Sequence, residues 1–100
     1  MMTLPFDARS LVEFCRRNYI NRLALFGSAT RDDFRPDSDV DVLVEFEPGH
    51  VPGLAFFALQ DELAAMFGRV VDLHTPKSLS KYFREQVLKE AKSLYSLKSE

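Results

Sequence analysis

The chain has 100 residues, 46% of them hydrophobic and 28% charged, with a formal net charge of −2. That length suits one domain with a modest core. The composition excludes a disordered chain and a fibrous repeat, and a lone Cys15 excludes a disulfide scaffold and suits a reducing compartment.

Asp7 is placed to cap a first helix, in which Leu11, Val12, Cys15 and Tyr19 form an apolar stripe. Leu23–Phe26 is a short apolar run closed by Gly27, which predicts a buried strand. Ser28–Arg35 is polar and is expected to include a short helix. Val40, Val42, Val44 and Phe46 alternate with Asp39, Asp41, Leu43 and Glu45, the period of a second strand. Leu54–Phe67 predicts a helix with Phe56, Leu59, Leu63 and Phe67 on one face and Gly68 as its stop. Phe56 and Phe57 are adjacent, so either a wide core face takes both or one is core and the other an interface residue. Val70–Leu73 predicts a third strand, and Leu79–Leu97 a last helix with Leu79, Phe83, Val87, Ala91, Leu94 and Tyr95 inward. The expected fold class is α/β (α+β): a small mixed sheet with helices packed on it, in one domain over residues 1–100.

The longest apolar run, Leu54–Leu59, is far short of the ~20 residues of a membrane span. The first fifteen residues lack the pattern of a signal peptide. The expected compartment is the cytoplasm, with no membrane partner.

Charge is unevenly distributed. Arg31–Glu47 carries seven acidic and two basic side chains, whereas Lys77–Glu100 carries six basic and three acidic ones. The acidic centre disfavours direct nucleic-acid binding by charge attraction and favours a cation. The basic end fits either a solvated face or a partner surface.

Asp39 and Asp41, two apart on a strand, point to one face. Carboxylates so close repel by ~2–3 kcal/mol at an effective dielectric near 20. A divalent cation relieves this, and oxygen ligands suit Mg²⁺. A solvated strand face beside a turn would carry the same residues. Asp72 interrupts an apolar run, where a buried carboxylate needs a partner. It is either paired with an arginine or, if its strand neighbours the second, within reach of Asp39 and Asp41. Gly27 permits a sharp turn, after which Ser28 and nearby backbone amides can hold phosphate oxygens, or simply cap a helix. Val42 and Pro48 exclude an EF-hand loop, and no Gly-Lys-Ser/Thr follows Gly27. His50 and His74 have no ligand-like spacing, so zinc is not expected.

Phe26-Gly27-Ser28-Ala29-Thr30-Arg31, Ser38-Asp39-Val40-Asp41-Val42-Leu43-Val44-Glu45-Phe46 and Gly68-Arg69-Val70-Val71-Asp72-Leu73 together resemble the minimal nucleotidyltransferases (MNT) of the DNA polymerase beta superfamily. Ala29-Thr30 and Asp32 stand where many relatives carry Tyr-Ala and glycine. The resemblance implies a nucleotidyltransferase fold and catalytic, metal-binding roles for Asp39, Asp41 and Asp72, with two Mg²⁺ ions and with ATP as substrate. It also implies phosphate binding at Gly27 and Ser28. By the same resemblance the function is that of an antitoxin transferring AMP to a hydroxyl, expected to be tyrosine, of a HEPN-domain RNase toxin, within a homo- or hetero-oligomer. A non-catalytic antitoxin that only covers the toxin, and a nucleotidyltransferase for a small hydroxylated molecule, are the alternatives.

Overall fold

The computed structural model describes residues 7–27, 39–50 and 52–96. Helix α1 runs Ala8–Arg17, strand β1 Ile20–Phe26, strand β2 Val40–Phe46, helix α2 Ala55–Phe67, strand β3 Val71–His74, helix α3 Lys81–Glu90 and strand β4 Lys92–Ser96. A single 3₁₀ turn, Pro76–Ser78, joins β3 to α3. Among the described residues no helix is long and apolar enough to cross a membrane.

Asp7 caps α1 as the sequence predicts, accepting from the Arg9 amide. The buried side chains of α1 are Leu11, Phe14 and Cys15. Tyr19 lies beyond the helix, with a positive φ of 55°, and stacks on His50. Gly68 ends α2 in the left-handed conformation that favours glycine.

The four strands form one sheet in the order β3-β2-β1-β4. β1 pairs antiparallel with β2 and with β4. β2 and β3 are parallel, and α2 provides the crossover that a parallel pair needs. β1 begins at Ile20, earlier than the apolar run suggests, because Asn21 and Arg22 are only half-buried within the strand.

Alternation divides the sheet into two faces. Leu23, Leu25, Val40, Val42, Val44, Val71 and Leu73 meet α1 and α2 in the main core. Phe26 and Leu43 meet Leu79 and Val87 in a smaller core under α3. Phe56 packs against the main core whereas Phe57 is exposed, as the adjacent pair requires of one helix face.

The largest departure from the sequence pattern is at the last helix. It stops at Glu90, and Ala91 turns to an extended conformation with ψ of 140°. Residues 92–96 then form β4 on the open edge of β1, with Leu23 opposite Tyr95. Phe83, expected inward, is half exposed, and Val70, expected in the third strand's core, is exposed ahead of β3. The short helix expected within Ser28–Arg35 lies outside the described residues.

Candidate nucleotidyl-transfer and metal site

The second face of the sheet carries the chemistry. In register, Asp41 is opposite Phe26 on one side and Asp72 on the other. Because β3 and β2 are parallel and in step, the two aspartates share one face and one level of the sheet. His74, two residues beyond Asp72, is on that same face, and its ring packs edge-on against Phe26 with centroids 5.4 Å apart.

The His74 Nε2 atom is 3.1 Å from Asp72 Oδ2 and 3.9 Å from Asp41 Oδ1. One ligand atom from each of Asp41, Asp72 and His74 falls within 4.8 Å of the other two, a spacing that a metal ion could bridge. Burial raises the Asp41 pKa, and the Asp72 carboxylate raises it further; His74 opposes this and Asp39 adds to it. A carboxylate that is costly to ionise alone is one that a cation would stabilise.

Gly27 closes the site on the β1 side. Its φ is +67°, and a Cβ on it would collide with Asp41 Oδ2. Absence of a side chain is therefore required twice there, by the backbone and by the neighbouring carboxylate. A recess of about 70 Å³ opens beside it, lined by Phe26, Gly27, Phe83, Gln86, Val87 and Glu90. That is well below the ~300–1,000 Å³ of an enclosing small-molecule cleft.

Two supports hold β3 in place. The Gln60 side chain of α2 accepts from the Leu73 amide at 2.9 Å. The Arg84 guanidinium donates to the carbonyls of Pro76 at 2.6 Å and Leu79 at 3.1 Å, tying α3 to the turn that follows His74.

The expected site residues are placed as follows. Asp41 and Asp72 are brought together. Asp39 is exposed just ahead of β2, near enough to affect Asp41 but outside the close group of three. Ser28 lies outside the described residues. Asp72 is exposed rather than buried, since Val71 and Leu73 face the core and Asp72 faces away from it. His74 joins the site although sequence spacing set it aside. The usable signal is its place two residues after Asp72 on a strand, which assigns both to one face.

Comparison with known proteins gives the chain a family and a fold. The family model described as a nucleotidyltransferase domain matches residues 8–94. A relative from Thermococcus cleftensis, the protein adenylyltransferase MntA, is 38% identical over 79 residues, covering 78% of each chain. A solved structure described as a candidate minimal nucleotidyltransferase superposes with a TM-score of 0.70 at 37% identity, over 84% of this chain and 85% of that one. The MNT antitoxin fold also appears in the complex with a tri-AMPylated HEPN toxin from Shewanella oneidensis, with a TM-score of 0.64 at 24% identity, over 89% of this chain and 69% of that one. With aspartates paired across a parallel β2–β3 ladder and the family model spanning nearly all described residues, this chain belongs to the nucleotidyltransferase domain family.

Proposed function

We propose that this protein is the antitoxin of a two-component pair and transfers AMP from ATP to a hydroxyl side chain, tyrosine by preference, of a HEPN-domain toxin in the cytoplasm. The observation that carries the reading is Asp72 opposite Asp41 in the β2–β3 register, beside Gly27. The similarity to MntA, a protein adenylyltransferase, supports the reaction, and the fold shared with an MNT antitoxin bound to an AMPylated HEPN toxin supports the partner.

The residues fit divalent cations: oxygen donors converge, and the Asp41 carboxylate is costly to ionise without one. Asp39 and Asp41 would hold one Mg²⁺ and Asp72 would share in a second. When bound, such ions neutralise the triphosphate and lower the pKa of an acceptor hydroxyl. The protein's own work is positional. The Gly27 turn and Ser28 hold phosphate oxygens, and in-line displacement at the α-phosphorus needs the acceptor oxygen opposite the leaving pyrophosphate. Asp72, exposed at the sheet edge, is accessible to an acceptor brought by another protein and can accept its proton.

The test is intact-mass spectrometry of the HEPN partner after incubation with Mg-ATP. The wild-type chain adds AMP, and Asp72→Asn adds 10²–10⁴-fold less, roughly the loss of a general base, while still binding the partner. If the partner is silenced with its mass unchanged by either protein, neutralisation is by binding alone.

A further inference from the structure

The geometry points to His74 as a nitrogen ligand of the cation held between Asp41 and Asp72, giving that position a preference for transition-metal ions over Mg²⁺. The inference rests on the metal-dependent reading above and makes it specific.

Three observations converge on it. First, His74 Nε2 is close to both carboxylates, 3.1 Å from Asp72 Oδ2 and 3.9 Å from Asp41 Oδ1. The three donor atoms lie within 4.8 Å of each other, so one ion could contact all of them. Second, an aromatic ring backs the imidazole, and the chain that follows it is anchored. Phe26 packs on its ring, and the Pro76–Ser78 turn directly after it is fastened by Arg84. A ligand pre-positioned in this way loses little entropy when it binds. Third, Asp41 and Asp72 are partners in the parallel β2–β3 register, which brings the two carboxylates to one level of the sheet.

The donor set then decides the ion. Two carboxylates alone suit Mg²⁺, which takes oxygen ligands and sheds its waters reluctantly. An imidazole nitrogen adds little for Mg²⁺ but favours first-row transition ions. Asp39, outside the group of three, leaves the neighbouring position an oxygen site. The two positions of the proposed pair therefore differ in chemistry: one oxygen-only and one mixed nitrogen–oxygen.

Mn²⁺ is the probe. The full chain, free of nucleotide, is titrated with Mn²⁺ and separately with Mg²⁺ by calorimetry, and the Mn²⁺ complex is examined by pulsed electron paramagnetic resonance. The expected results are tighter binding of Mn²⁺ than of Mg²⁺ and a ¹⁴N coupling from a directly bound imidazole. His74→Ala removes the coupling and weakens Mn²⁺ about tenfold or more, with little change for Mg²⁺. Replacing histidine by its ¹⁵N-ring form in the unaltered chain converts the ¹⁴N pattern to ¹⁵N, a control needing no folded variant. His50→Gln, at the opposite end of β1 against Tyr19, leaves the coupling intact. Mn²⁺ bound with no nitrogen coupling overturns the role of His74 and leaves the metal-dependent reading standing. No binding of either ion, with or without added ATP, overturns both.

Discussion

Gly27, the residue just past β1, lies so close to Asp41 on β2 that one methyl group on Gly27 would overlap the Asp41 carboxylate. Gly68 shares its positive φ, at +68°, but has open space where a Cβ would be. The two glycines separate backbone strain from damage to the site. Gly68→Ala should cost about 1–2 kcal/mol from the left-handed backbone and leave metal and ATP binding unchanged. Gly27→Ala should cost more and also displace Asp41, weakening both ligands. Chemical denaturation and calorimetry on the pair check this, and equal ligand affinities in the two variants would contradict it.

Asp41 should limit the stability of the metal-free protein. Its pKa is raised above the ordinary value of 3.8, first by burial and then by Asp72. A carboxyl that binds its proton more tightly folded than unfolded stabilises the fold while protonated. That contribution is lost as pH rises from the unfolded value through the folded one. In chelator at pH 7, Asp41→Asn should therefore melt higher than wild type, and the gap should close as pH falls towards 4. Thermal melts across this range decide it; a variant that melts lower at pH 7 would count against the cost of ionised Asp41.

Cys15 should be chemically silent in the native state. It is fully buried between α1 and the sheet, and burial pushes its thiol up to about 12. The thiolate, which is the reactive form, is thus scarce as well as inaccessible. Labelling by an aromatic disulfide at pH 8 should be slower in buffer than in urea by about 10³-fold or more, tracking the open population. Equal rates would place Cys15 at the surface.

Removing residues 92–100 should unmask an edge. β4 covers the outer side of β1 from Arg22 to Leu25, and Leu94 and Tyr95 pack against the main core. The shortened chain should lose roughly 2–3 kcal/mol of burial and associate with itself through the freed strand. Denaturant melts and light scattering over a concentration series would reveal both. A monomer of unchanged stability would mean that β4 contributes nothing.

Much of this architecture is legible from local pattern. Val40, Val42 and Val44 alternate with Asp41 and Leu43, and the structure sends these two sets to opposite faces. Leu43, fully buried on the aspartate side, explains why that face is not simply a solvated one. What local pattern misses is decided between distant segments. Lys92-Ser93-Leu94-Tyr95-Ser96 has neither glycine nor proline to end the helix before it. It becomes a strand because β1 has an edge whose backbone groups need partners. Asp72 reads as an intrusion into a core run, yet β3 is an edge strand whose second face is open. His74 is excluded by spacing to other histidines, whereas its relevant neighbours are aspartates on its own and the adjoining strand.

The place of β1 between β2 and β4 also governs how the chain can fold. One neighbour follows β1 closely in sequence, and the other is the last strand described. The register of β1, β2 and β3, and with it the meeting of Asp41 and Asp72, does not involve Lys92–Ser96. Closing so long a loop costs entropy that only its final contacts offset, and distant pairings of this kind slow folding. The carboxylate pair and the covering of the sheet edge are therefore separable: the first needs only β1 to β3, the second waits for the most distant pairing.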